Sequence, residues 1–306
     1  MLRKSLVLLT AGILTLSGCS GTPRDVPAAG SRAVTLALST EKNPFFLQVR
    51  YGAQAKANEL GIDLTVLDAG DDAEVQAAQL DDVSSGVAVV NPADSEALAP
   101  AVSQLNEKGI PAITIDRTIT GADVAALIDS NNTEGGAAAA SVLAKAIRAQ
   151  GEVIVLRGIE GSSSSSERYE GFTQAMAEHP RVRIVAAEAA DFDRDTARDL
   201  VTDLLADHPD VAGIFAENDE MALGAVDALG ERAGKDVKVV GFDGTEEGVR
   251  AVKNRKLVAT IAQQSSELGA TAIEQAGKLL DGEAAESVHT PVMVVTRDNI
   301  EKYRPL

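Results

Sequence analysis

The sequence predicts an α/β protein with two Rossmann-like lobes, each a parallel sheet flanked by helices. Short apolar runs alternate with amphipathic helical stretches along nearly the whole chain. About four or five such strand–helix units precede residue 131, and as many follow it. Repeated strand–helix order gives parallel strands with helices on both faces. Since the units divide evenly about residue 131, we expect two doubly wound lobes rather than one sheet.

Each strand candidate is a short run of aliphatic and β-branched residues. In chain order the candidates include 34–39, 64–67, 87–91, 112–116, 153–156, 182–185, 211–215 and 237–240. A helix is expected at about 133–149, between the two groups of strands. Polar clusters follow several of these runs, and ligands of such sheets bind beyond the carboxyl ends of the strands. We therefore expect sites from both lobes to face one cleft.

The N-terminus predicts export and lipidation. Residues 1–18 combine a basic start with a short apolar run, which is typical of a signal peptide. Leu16-Ser17-Gly18-Cys19 resembles the bacterial lipobox, and Cys19 is the only cysteine. We expect a lipid anchor on Cys19, a tether over 19–32, and a location on the cell membrane facing the periplasm or cell exterior. An ordinary signal peptide with an incidental cysteine is the alternative.

Composition excludes several classes of partner. The net charge of −18 disfavours nucleic acid and anionic membrane surfaces. A single cysteine allows no internal disulfide. No apolar run after the signal is long enough for a membrane span, so the lipid is the only expected membrane contact.

The aromatic residues indicate a sugar pocket. The chain has six phenylalanines and no tryptophan, and four of these phenylalanines sit in polar clusters at predicted strand ends: Phe45, Phe46, Phe192 and Phe242. Flat apolar faces beside Asn, Asp and Gly suit a sugar, whose C–H faces are apolar and whose hydroxyls surround the ring.

Several motifs in fixed order resemble the D-ribose-binding family, the type I periplasmic solute-binding proteins of sugar ABC transporters. They are Ser39–Phe46, Asn91–Ser95, Ile113–Arg117, Phe215–Gly224 and Val240–Thr245. The resemblance runs from about residue 33 to the C-terminus, and it implies two lobes joined by a three-strand hinge. It places crossovers near 130–131, 263–264 and 292–293. The N-terminal lobe would then be 33–130 plus 264–292, and the C-terminal lobe 131–263 plus 293–306.

The resemblance also implies the ligand and its contacts. The family's sugar contacts fall on Asn43, Phe45, Phe46, Asp116, Arg117, Arg168, Phe192, Asn218, Phe242, Asp243 and Gln263. Every position holds the residue type expected for D-ribose, with Phe45 and Phe192 sandwiching the ring and Phe46 and Phe242 closing its edges. Two arginines balanced by two aspartates suit an uncharged polyol.

The function implied is delivery of D-ribose to an ABC permease by hinge closure, by a monomer without a cofactor or metal. The alternatives are allose, another small sugar or polyol, or a furanosyl signal such as autoinducer-2, and a chemoreceptor as a second partner. The sequence departs from the family pattern at 73–85, which is about three residues short, and at the serine run 162–166. We expect Arg168 to be well placed if the serines cap the following helix, and held less firmly if they do not.

The sequence gives less support to an enzyme, a calcium site or a repressor. The three histidines, His179, His208 and His289, include two in His-Pro pairs, and no hydrolase elbow or phosphate loop is present, which argues against an enzyme. Asp191–Asp195 has calcium-loop spacing, but Thr196 and Thr202 replace the glycine and glutamate that such a loop needs. A repressor with this lobe pair would need a DNA-binding headpiece, where this chain has a signal and tether.

Overall fold

The computed structural model describes residues 32–303 and confirms the two-lobed α/β fold. The strands of the first sheet are, in spatial order, β11 (Val288–Thr290), β5 (Ala126–Ser130), β4 (Ala112–Ile115), β3 (Val87–Val90), β1 (Ala33–Leu38) and β2 (Asp63–Asp68). Those of the second are β12 (Met293–Thr296), β10 (Ala259–Ala262), β9 (Lys238–Asp243), β8 (Gly213–Ala216), β6 (Gly151–Arg157) and β7 (Val182–Ala189).

Nine helices within residues 32–303 cover the sheets. They are α1 (Pro44–Leu60), α2 (Ala73–Asp81), α3 (Ala99–Glu107), α4 (Asn132–Ala146), α5 (Ser163–Met176), α6 (Arg194–Asp207), α7 (Asp219–Leu229), α8 (Glu246–Lys253) and α9 (Ser265–Leu280). The short segment at 73–85 forms α2 and its exit loop, with Asp72 as the N-cap. None of the helices in this part of the chain is long and apolar enough to cross a membrane.

The described chain passes between the two sheets at three places. Strand β5 is followed directly by α4, which packs against the second sheet. Strand β10 is followed by α9, which packs against α1 of the first lobe. Strand β11 belongs to the first sheet. Only two residues separate it from β12, which belongs to the second sheet.

One strand departs from the parallel order that the sequence predicts. Strand β12 pairs with β10 in the antiparallel sense, while the other pairings in both sheets are parallel. The reason is the direction of entry. The parallel strands end at the cleft, and β12 enters the second sheet from that same side with no helix to carry the chain back, so it runs the opposite way.

Two glycines seat α9 against the first lobe. A Cβ at Gly52 would lie 1.8 Å from the Ser266 carbonyl oxygen, and one at Gly269 would lie 1.9 Å from that of Val49. The two helices therefore touch backbone to backbone, and α9 becomes part of the apolar core that also includes β1, β3 and β5. Gln263 follows β10 directly and lies two residues before the start of α9, at the second crossing.

The predicted signal 1–18, Cys19 and all of the predicted tether before Arg32 lie outside the described residues.

Candidate functional site

The predicted site residues lie where strands end, on both sides of the cleft. Asn43 follows β1 and is the N-cap of α1, and Asn218 follows β8 and is the N-cap of α7. Their side-chain oxygens accept the backbone N–H groups of Phe45 and Met221, at 2.9 and 2.8 Å. Each asparagine is therefore held by its helix, with its amide end at the cleft.

Ten of the eleven predicted residues enclose one small cavity between the lobes. They are Asn43, Phe45, Phe46, Asp116, Arg117, Arg168, Phe192, Asn218, Asp243 and Gln263, and Ser164 joins them. The cavity measures about 10 Å³, which is about the space of one water molecule. A wider space of about 380 Å³, bordered by Asn43, Phe46, Arg117 and Phe192, lies next to it and opens to solvent.

Phe242 is placed differently from the prediction. Its side chain is fully buried in the core of the second lobe, packed with residues such as Phe172 and Phe215. The guanidinium of Arg168 lies over its ring, 4.0 Å from the centroid. Within this closed arrangement Phe242 supports Arg168 from below and does not line the cavity.

Four buried charges form the polar part of the wall. Arg168 lies between two aspartates, with Nη2 4.0 Å from Oδ1 of Asp116 and Nη1 3.8 Å from Oδ1 of Asp243. Arg117 Nε is 3.5 Å from Oδ2 of Asp116. All four side chains are at most 5% exposed. These separations balance charge but are longer than good hydrogen bonds, which leaves hydrogen-bonding capacity for a polar ligand.

Several polar atoms of the wall have no hydrogen-bond partner among residues 32–303. They are Oδ1 of Asp116, Nε of Arg117, Oδ2 of Asp243 and Oε1 of Gln263. Buried polar atoms nearly always have partners, so three acceptors and one donor around one cavity indicate a ligand with several hydroxyl groups. Burial also raises the pKa of Asp243 to about 8, against the opposing effect of Arg168.

Arg168 is fixed by groups behind the wall. Its Nε donates to Oδ1 of Asn132 at 2.9 Å, and its Nη1 donates to the Glu217 carbonyl oxygen at 2.7 Å. The Glu217 carboxylate accepts hydrogen bonds from the Gly158 N–H, at 2.8 Å, and from the Ser165 hydroxyl. Burial raises the pKa of Glu217 to about 7 although these donors oppose the rise.

Arg117 bridges aromatic rings from the two lobes. Its guanidinium lies 5.6 Å from the ring centroid of Phe46 and 5.4 Å from that of Phe192. Gly158 provides space for Phe192, because a Cβ there would lie 2.1 Å from the ring. Phe45 and Phe46 meet edge to face at 5.0 Å. The walls therefore carry ring faces from both lobes, as a sugar site requires.

Backbone strain is concentrated around the cleft. Positive φ angles occur at Asp116 (65°), Phe192 (57°) and Asp243 (107°), and at Asp71 and Asp191 on the rim of the wider space. Non-glycine residues rarely adopt this conformation, and it clusters at ligand sites. Here it turns three side chains of the wall toward the cavity.

The serine run caps α5 and also joins the two lobes. Ser162 is the N-cap of α5, which carries Arg168. Across the cleft, Ser163 Oγ accepts the Thr118 N–H at 2.9 Å, and its own N–H donates to Ser95 Oγ at 3.3 Å. The Ser95 N–H donates to the Gly161 carbonyl at 3.0 Å. We call these three hydrogen bonds the cross-lobe contact.

One aspartate of the stretch 191–195 caps a helix. Asp193 is the N-cap of α6 and accepts the Thr196 N–H at 2.8 Å. No cluster of three or more metal-binding side chains occurs within residues 32–303.

Sequence reasoning missed three residues of this site. Ser164 was hidden inside a uniform serine run, and only its helical position brings it to the cavity. Asn132 and Glu217 are 1% and 0% exposed and lie behind the wall. The signal that could have found Glu217 was its position directly before Asn218, since a carboxylate at the end of a buried strand needs donors.

Comparison with known proteins identifies the family. The sequence profile described as periplasmic binding protein domain matches residues 34–284. The chain belongs to this periplasmic binding protein family. The ribose import binding protein RbsB of Salmonella typhimurium is 44% identical over 264 residues, covering 85% of this chain and 88% of that protein. The D-allose-binding periplasmic protein of Escherichia coli K12 is 32% identical, covering 83% and 87%.

Solved structures of sugar and polyol complexes share the fold. A solute-binding protein of Actinobacillus succinogenes with bound D-allose aligns with a TM-score of 0.83 at 31% identity, covering 89% of this chain and 100% of that one. The Caulobacter myo-inositol binding protein, bound to myo-inositol, aligns with a TM-score of 0.86 at 31% identity, covering 90% and 97%. All four relatives are named as binding proteins, and two of the names refer to import or to an ABC transporter.

Proposed function

We propose that this protein binds D-ribose between its lobes and delivers it to an ABC permease. The observation that carries the proposal is the enclosed cavity, where ten predicted contacts meet and four buried polar atoms have no partner within residues 32–303. The similarity to ribose import binding proteins supports the same ligand. D-allose is the second candidate, because an allose-binding relative and an allose-bound structure share 31–32% identity with this chain.

The burial of the wall supports a hinge mechanism. Asp116, Arg117, Arg168 and Asp243 lie between the lobes and are at most 5% exposed, so a sugar could reach them only if the lobes moved apart. The lobes would separate about the three crossings, admit the sugar, and close on it. Contacts from both lobes would stabilise the closed form, and the permease would recognise that form.

The proposal also includes the location of the protein and a second partner. Export by the signal 1–18 and lipidation of Cys19 would hold a monomer at the membrane, with 19–32 as its tether. Replacement of Cys19 by serine should move the protein from the membrane fraction to the soluble exported fraction. Retention in the membrane fraction would contradict the lipid anchor. A chemoreceptor is a further partner of the closed form, testable by co-purification with and without sugar.

Isothermal titration of the purified full-length protein tests the ligand. D-ribose, D-allose, D-galactose, D-xylose and L-arabinose would be compared at one temperature. We expect one-to-one binding that is tightest for D-ribose. A sugar whose hydroxyls are placed differently would leave a buried polar group of the site without a partner, which costs several kcal/mol. Preference for D-allose would move the ligand to the second candidate. Silence toward every sugar tested would refute the proposed function.

A further inference from the structure

Asn132 connects the first crossing between the lobes with Arg168. It is the first residue of α4, follows β5 by two positions and is 1% exposed. Its Oδ1 accepts Nε of Arg168 at 2.9 Å, and its Nδ2 donates to Oε2 of Glu167 at 3.1 Å. Both ends of the amide are thus used by side chains of α5, and neither caps its own helix.

The cap of α4 is the neighbouring asparagine. Asn131 is exposed, its Oδ1 accepts the Glu134 N–H at 3.4 Å, and its Nδ2 donates to the Glu134 carboxylate at 2.7 Å. Two adjacent asparagines therefore have different tasks. Asn131 begins the helix, and the buried Asn132 makes its hydrogen bonds toward the cavity wall.

The donors of Arg168 show what Asn132 contributes. Nε is used by Asn132 and Nη1 by the Glu217 carbonyl, while Nη2 makes no hydrogen bond among residues 32–303 and lies 4.0 Å from Asp116. A long arginine side chain has many rotamers, and two hydrogen bonds from different sides of the planar group fix its orientation. The remaining nitrogen, Nη2, is thereby kept at the cavity wall near Asp116.

We infer that Asn132 is a positioning residue for sugar binding, which acts by orienting the guanidinium of Arg168. This rests on the proposed function, since Nη2, the nitrogen left without a hydrogen bond, is the donor that would meet the ligand. Glu167 supports this arrangement from the other side of Asn132. Its carboxylate accepts a hydrogen bond from Asn132 Nδ2 and so holds the amide with Oδ1 toward Arg168. Asn132 need not touch the sugar in this role.

A double-mutant cycle tests the inference. Asn132→Ala should weaken D-ribose binding by about tenfold to a hundredfold, as expected for loss of a hydrogen bond to a charged group. In an Arg168→Ala background the same change should weaken it by no more than about twofold. Asn131→Ala is the matched control and should leave the affinity unchanged. Equal losses in both backgrounds would overturn the inference.

Two variants of Glu167 test the same inference without removing the buried side chain of Asn132. Glu167→Ala frees the amide of Asn132 and should lower affinity by about threefold, whereas Glu167→Gln keeps an acceptor oxygen and should have little effect. Equal effects of the two Glu167 variants would argue against an oriented amide.

A sugar-free measurement separates this inference from the proposed ligand. The Nε–H proton of Arg168 should give a slowly exchanging NMR signal that disappears in Asn132→Ala and persists in Asn131→Ala. If the signal survives Asn132→Ala, the inference is wrong whatever sugar binds. If the signal behaves as expected but no sugar binds to the unaltered protein, the positioning role stands and the proposed function fails.

Discussion

The two walls of the cleft hold their arginines in different ways. Arg168, from the second lobe, has hydrogen bonds from Nε and Nη1 to buried groups and rests on the ring of Phe242. Arg117, from the first lobe, donates from Nη1 to the Pro92 carbonyl at 3.1 Å, while its buried Nε has no partner within residues 32–303. Arg168 is therefore held in place before a ligand binds, whereas Arg117 keeps a donor that a ligand could use.

The difference has a functional consequence. An arginine that is already held lowers the cost of ordering side chains on binding. An arginine with an unused donor gains a partner when the ligand supplies one, which favours the closed form when sugar is present. The following changes test whether the two walls differ in this way.

The largest effect is expected for Arg168→Ala. The change leaves Asp116 and Asp243 without the cation between them, and truncating one partner of a buried charge pair costs about 2–5 kcal/mol. We expect D-ribose affinity to fall by a hundredfold or more and the sugar-free protein to unfold at lower urea concentration. Titration and urea unfolding measure both. Arg198→Ala, at an exposed arginine of α6, is the control, and a similar loss there would indicate a non-specific effect.

The next effect concerns Glu217 behind the second wall. Burial raises the pKa of Glu217 from 4.5 to about 7. Its proton is lost near pH 4.5 in the unfolded chain but near pH 7 in the folded one, so this group's contribution to stability falls as pH rises between those values. Glu217→Gln keeps an acceptor for Gly158 and Ser165 and should be more stable than the parent at pH 8, by up to about 3 kcal/mol.

Urea unfolding of both proteins at pH 5, 6, 7 and 8 measures this difference. Burial also raises the pKa values of Asp219, to about 7, and Asp243, to about 8, and these groups remain in both proteins. Only the difference between the two pH profiles is therefore informative. Parallel profiles would show that Glu217 is charged in the folded protein throughout this range.

Arg117→Ala sharpens the comparison between the walls. We expect a loss of about 1.5–3 kcal/mol in D-ribose binding, since hydrogen bonds to a charged group are lost. The sugar-free protein should lose less stability than with Arg168→Ala, because Arg117 has fewer partners inside the protein. Unfolding in the absence of sugar is the decisive readout. Equal destabilisation by the two arginine variants would remove the distinction between the walls.

The smallest effect is expected at the cross-lobe contact. Ser163→Ala removes the acceptor of the Thr118 N–H without changing the cavity wall. One neutral hydrogen bond contributes about 0.5–1.5 kcal/mol, so affinity should fall by about three- to tenfold, with dissociation faster. Stopped-flow measurement of sugar release tests this. Ser166→Ala, which removes a hydroxyl bonded within α5, should leave the rate unchanged.

The sequence predicted the fold well where the pattern is local. The runs at 34–39 and 87–91 became β1 and β3, and α4 begins within one residue of its predicted start. The antiparallel β12 could not be predicted from local pattern, because its direction follows from where the chain enters the second sheet. Strand–helix periodicity carries no information on that entry point.

The sequence predicted most of the residues that line the cavity but not the residues that support them. Ten residues grouped by the family resemblance do meet around one cavity, while their contact with sugar stays a prediction. Phe242 was expected at the edge of the ring and lies under Arg168, because its strand turns the ring toward the core. Asn132 and Glu217 escaped notice since a supporting contact depends on the packing of α4 and α5, not on spacing in the chain.

A crystal structure of the protein with D-ribose would show whether the sugar lies between the two walls. We expect closed lobes with the sugar ring between Phe45 and Phe192, and hydroxyls within hydrogen-bonding distance of Asp116 Oδ1 and Asp243 Oδ2. Arg168 should keep its bonds to Asn132 and Glu217, while Arg117 Nε gains a partner. Ribose bound outside this cavity, or an unoccupied cavity at saturating ribose, would show that these residues do not form the ribose site.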